Sequence, residues 1–119
     1  MPCRMKTRTI TREEALALIT PPPAPTDEEL AALRALLSIA ATDTGQARRV
    51  ANFLLAWWNS VSCGGFDLTD LWAVDRVIAD YMLTVVGMIA RVHEYPDKLG
   101  FRAEFERVIA DWRPHLLSE

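Results

Sequence analysis

A chain of 119 residues, half of them hydrophobic, is long enough for one domain with one core and too short for two. Only 8% of the residues are aromatic, and Leu, Ala, Val and Ile make up much of the remainder, which suits helices packed on helices better than a sheet of β-branched and aromatic strands. The net charge of −3 is uneven: residues 1–12 hold Arg4, Lys6, Arg8 and Arg12 with no acid, and setting those four positive charges aside leaves −7 on the rest of the chain, a sign that repels nucleic-acid phosphates everywhere but at the arm.

Residues 1–10 lack periodicity and read as a basic, flexible arm. Thr11-Arg-Glu-Glu14 has the Thr-x-x-Glu spacing of a capping box, followed by Ala15-Leu-Ala-Leu-Ile19, so a short first helix is expected over 12–19. Pro21-Pro22-Pro23-Ala24-Pro25 stops it, because proline lacks an amide donor and disfavours helix in the residue before it. That run reads as a stiff spacer; no basic residue flanks it as a ligand for an SH3-like domain would require. The chain therefore divides into an arm (1–10), a short helix and proline-rich spacer (11–25) and a helical bundle domain (26–119).

Thr26-Asp-Glu-Glu29 repeats the capping box and opens a second helix over 27–40, with Leu30, Leu33, Leu37 and Ala40 expected inward and Glu28 and Arg34 outward. After Thr42-Asp-Thr-Gly45, a third helix over 46–62 carries the wide apolar stripe Val50, Phe53, Leu54, Trp57, Trp58 and Val61. Gly64-Gly65 ends it, glycine being the residue that takes a positive φ past a helix end. A fourth helix, from Asp70 to about Glu94, is the longest periodic segment and is expected to be central, packed between the third and fifth, with Gly87 permitting a close crossing. Tyr95-Pro96-Asp97 ends it, and a fifth helix runs from near Asp97 or Gly100 to Trp112 with Phe101, Phe105, Val108, Ile109 and Trp112 on one face, stopped by Pro114. The expected fold is an all-α single-domain bundle of four main helices plus the short N-terminal one, with Trp57, Ile78, Val85 and Phe105 buried.

The ingredients of catalysis are scarce. His93-Glu94 starts like a zinc-protease motif, but Asp97 stands where the second histidine is needed. Cys63 lies at a helix C-terminus, where the dipole disfavours a thiolate. Asp70, Asp75 and Asp80 project in separate directions at about 100° per residue, so only Asp67 and Asp70 share a first turn, where capping explains them. Calcium-loop and phosphate-loop spacings are absent. No catalytic residue, cofactor or metal is expected. The two cysteines, Cys3 and Cys63, are too few for a disulfide framework. The start of the chain lacks a signal-peptide core, and no apolar run reaches the roughly 20 residues of a membrane span; a reduced cytoplasmic protein without membrane contact follows.

The motifs Leu54-Leu-Ala-Trp-Trp-Asn59, Cys63-Gly-Gly-Phe-Asp-Leu-Thr-Asp-Leu-Trp72 and Trp112-Arg-Pro-His-Leu116 resemble those of a family of small uncharacterised proteins encoded on integrative and plasmid-like elements of proteobacteria. The resemblance spans residues 53–116. It implies a bacterial mobile-element accessory protein and transfers no functional residue, since that family has no established activity.

Together these readings favour a non-enzymatic interaction or regulatory protein that binds another protein, either host machinery or itself as a homodimer. Its candidate surface is Trp58, Phe66, Asp67, Asp70 and Trp72, because tryptophan is enriched among interface hot spots. The second reading is a nucleic-acid-binding accessory protein using the arm residues Arg4, Lys6, Arg8 and Arg12, with Arg48-Arg49 the other basic pair. The third is an enzyme built on Cys63 or an aspartate.

Overall fold

The computed structural model describes residues 11, 12, 14 and 23–117. Of the first expected helix, only its start lies there. The Thr11 hydroxyl accepts from the Glu14 amide (3.1 Å), and the Glu14 carboxylate accepts from the Thr11 amide (2.8 Å), so that capping box is formed. The rest of that helix, the arm residues Arg4, Lys6 and Arg8, and Cys3 lie outside the described residues.

Four α-helices follow: α1 (Asp27–Ala40), α2 (Gly45–Cys63), α3 (Arg76–Arg91) and α4 (Arg102–Trp112), with 3-10 turns at Leu68–Ala73 and Pro114–Leu116. No strand occurs among the described residues, and the architecture is the expected all-α bundle. The start of α1 obeys the sequence rule: Thr26 and Glu29 satisfy each other's amides at 3.1 and 2.9 Å. Its stripe is shifted from the expected one. Ala32, Leu33, Leu36 and Ala40 are buried with Glu29, while Leu30 and Leu37 are half-buried flanks.

The central helix is α1, packed against α2, α3 and α4, and the expected central role of the fourth predicted helix is corrected. That helix is also not continuous. Leu68–Ala73 is a 3-10 turn, Val74 and Asp75 are extended, and α3 begins only at Arg76, so it runs 16 residues and not from Asp70 to about Glu94. The cause is distant in sequence. Gln46, in the first turn of α2, accepts the Asp75 amide at its Oε1 (2.6 Å) and donates through Nε2 to the Asp75 carboxylate (3.3 Å), holding residue 75 out of helical geometry.

Because α3 packs mainly against α1, the wide face expected on it is half open: Ile78, Met82, Val85 and Met88 are buried, whereas Val77, Leu83 and Val86 are exposed. Gly87 crosses nothing inside the domain, since a side chain there would meet no atom within 4 Å. Among the four residues expected buried, Ile78, Val85 and Phe105 are, and Trp57 is half-buried.

The spacer is joined to the bundle. Arg91, in the last turn of α3, donates to both carboxylate oxygens of Glu29 (2.6 and 2.7 Å) and to the Ala24 carbonyl (3.0 Å). At the other end of the bundle, the Trp112 indole N–H donates to the Ala40 carbonyl (2.8 Å), closing the end of α1 against the end of α4.

Candidate interaction surface

The turn between α2 and α3 begins with a break inside α2. Asn59 leaves helical geometry (φ −160°, ψ 85°), and its side chain accepts the Ser62 amide at 3.1 Å, as a helix cap would. The last turn is thereby redirected, which is why Val61, expected on the buried stripe, is 96% exposed. Gly64 follows with φ 97° and ψ 161°, an extended conformation at positive φ that is essentially reserved for glycine, instead of the left-handed helical one.

The tryptophans on either side of this turn have different fates. Trp57 and Trp58 both set their rings edge-on against Phe105, each with centroids 5.7 Å apart. The Trp57 indole N–H donates to the Glu94 carbonyl (3.3 Å). Both are half-buried and belong to the packing of α2 on α4. Phe66 rests edge-on against Phe53 at 5.4 Å and is likewise half-buried. Trp72 does none of this, being 84% exposed, and Leu68, one turn before it, is 73% exposed.

The turn that presents Trp72 is held at three points. Asp67 caps it, its carboxylate accepting from the Thr69 hydroxyl (2.8 Å) and amide (3.0 Å), and these two bonds hold its pKa below the ordinary carboxylate value. Asp70 pairs with Arg49 of α2 (3.3 Å), and the Arg49 guanidinium also donates to the Gly45 carbonyl (3.2 Å). Gln46 then clamps Asp75 just beyond. Thus Asp67 and Asp70, named from sequence as surface candidates, act as fasteners for Trp72. Gln46 was missed and Arg49 was read only as half of a basic pair, because nothing in the local pattern of α2 shows that its first turn reaches residues 70 and 75.

Cys63 is buried, and burial pushes its thiol pKa up, with the Arg113 charge opposing only in part. It lines an open cavity of about 460 Å³ with Trp58, Asn59, Ser62, Ile109 and Leu116. Its carbonyl accepts from Arg113 Nε (3.0 Å); the same guanidinium donates to the Trp112 carbonyl (2.9 Å) and to Asn52 Oδ1 (2.7 Å). His93 lies elsewhere, its Nε2 within 3.0 Å of the Ala90 carbonyl, beside a smaller cleft with Trp57 and Tyr95. A groove of about 580 Å³ between α1 and α4 has Phe101 and Leu37 along its floor and Arg34, Glu104, Arg107 and Asp111 around its rim. Among the described residues, no group of three His, Cys, Asp or Glu side chains is arranged to hold a metal ion. Nor is any helix there long and apolar enough to cross a membrane.

Comparison with family models matches residues 30–113 to a family of unknown function, DUF7673. The match starts further upstream than the motifs around residues 53–116 and includes most of α1. No curated protein and no solved structure matches the chain.

Proposed function

We propose, for a chain that belongs to the DUF7673 family, a non-enzymatic interaction or regulatory role in which another protein docks on the turn presenting Trp72 and Leu68. One observation carries this reading: the indole is 84% exposed, yet the turn beneath it is fastened by a cap, an ion pair and a two-bond clamp. Leaving a large aromatic group in water forgoes roughly 1.5–3 kcal/mol of burial, and a pre-ordered turn loses little further entropy when a partner covers it. Trp58 and Phe66 are half-buried, packed on Phe105 and Phe53 respectively.

The chemistry of the other groups supports a binding role over an enzymatic one. Burial pushes the Cys63 thiol pKa up, the wall of the cavity it lines carries no His, Asp or Glu among the described residues, and His93 lines a separate cleft. Resemblance to proteins of integrative and plasmid-like elements supports a bacterial mobile-element accessory protein, and the sparse cysteines support a cytoplasmic location. The arm-based nucleic-acid reading rests on Arg4, Lys6, Arg8 and Arg12, of which Arg12 alone is among the described residues.

Trp72→Ala tests the proposal. Captured from a host lysate in parallel with the wild type, the variant is expected to keep its melting temperature and lose the partner that the wild type retains. Retention of that partner at full yield, or collapse of the fold, would refute the docking role of this turn.

A further inference from the structure

A second surface, on α3, fits a second copy of this chain. Ala79, Leu83, Val86 and Ala90 fall at i, i+4, i+7 and i+11, the seam spacing of a two-helix coiled coil. They lie on the side of α3 turned away from α1: Leu83 is 56% and Val86 45% exposed, Ala90 is exposed and Ala79 half-buried. Gly87, beside Leu83 one turn on, is exposed with open space where a side chain would stand. Glycine in a helix interior weakens the helix relative to alanine, and nothing inside the domain needs its small size. A closely crossing second helix would.

From this we infer that α3 is the seam of an antiparallel, two-fold homodimer. The face is complementary to itself in that order. A crossing centred between Leu83 and Val86 sets Leu83 against Val86 of the second copy and Ala79 against Ala90. It also brings Arg76, whose side chain is 89% exposed, opposite His93 of the second copy, with the exposed acid Glu94 next to it, just past the end of α3. A parallel crossing would instead set Arg76 on Arg76. The intrahelical pair that Arg76 makes with Asp80 (3.2 Å) is solvent-exposed on both sides and holds the guanidinium only weakly. A seam of four small and medium side chains falls short of the about 800 Å² per partner of a standard interface, so the dimer is concentration-dependent and not permanent. The face is distinct from the Trp72 turn and does not depend on that turn having a partner.

Sedimentation equilibrium on the full chain tests this, up to about 1 mM, above which a contact would be too weak to count as an interface. The mass is expected to rise from 13.4 kDa toward twice that value as concentration increases. Leu83→Glu, a change at an exposed site, should keep the circular dichroism spectrum and melting temperature and leave a monomer throughout. Gly87→Ala should raise the melting temperature while weakening the dimer. Arg76→Glu and Glu94→Arg should each weaken it by about 2- to 5-fold, and the double exchange should restore it. Trp72→Ala should leave it unchanged. A wild type that stays monomeric at the highest concentration, a Leu83→Glu chain that still dimerises, or a dimer lost with Trp72 would overturn the assignment. Failure of the double exchange to restore association would overturn the antiparallel order.

Discussion

Glu29 keeps its charge against the core because each carboxylate oxygen has a donor. The Arg91 guanidinium contributes most, the Thr26 amide next, and together they lower its pKa from 4.5 to about 2. A carboxylate whose pKa is lower folded than unfolded binds fewer protons in the native state, so its contribution is complete above about pH 4.5 and disappears as the pH falls toward 2. Melting curves over that window should therefore show a steeper acid loss for the wild type than for Glu29→Gln; parallel curves would contradict it. Phe105 is the other residue on which much converges, being fully buried with the edges of both Trp57 and Trp58 against its ring. Phe105→Ala should cost about 3–5 kcal/mol in urea unfolding, a large share of a small domain's stability. That Phe105 is core was legible from the spacing of the last helix. That it is the single ring beneath both tryptophans was not, because helical period reports a face and not the neighbour that the face will meet.

Where a capping residue precedes an apolar period, as at Thr26, the sequence locates the helix to within a residue, since cap and helix are chemically one local unit, and Thr44, read only as part of a break, caps α2 in the same way. The break before α3 was hidden for the opposite reason. Apolar residues continue in helical period from Leu71 to Val92, and the group that interrupts them is Gln46, 29 positions upstream. Once residue 75 is held extended, the segment before it turns Trp72 outward, and α3 is left to pack mainly against α1. Gln46→Ala removes two hydrogen bonds, and the expected cost is about 1–2 kcal/mol in urea denaturation, with the helical content of α1 and α2 retained. An unchanged unfolding midpoint would mean that Asp75 is held by something other than this clamp. Val61 shows the same limit in α2: its place on the stripe is right for an unbroken helix, and the cap at Asn59 removes it.

At the scale of the molecule, four tryptophans divide into three that pack and one that does not, and solution fluorescence can register the division. Trp57, Trp58 and Trp112 are half-buried, while Trp72 stands almost wholly in water. Most of the iodide-quenchable emission should belong to Trp72, so Trp72→Phe should remove it; equal quenching of wild type and variant would place the accessible indole elsewhere. Sequence could name Trp72 as one candidate among several, but its exposure depends on contacts between α2 and the start of α3 that form only in the folded bundle. Arg113 is a contact of the same long-range kind. Its guanidinium joins the last carbonyl of α2, 50 positions upstream of Arg113, to the last carbonyl of α4. Neither helix end can then fray by itself: the two C-termini open in one cooperative event, and their amide protons should exchange with solvent at a common rate that Arg113→Lys, with a single point-like ammonium in place of the fork, separates into two.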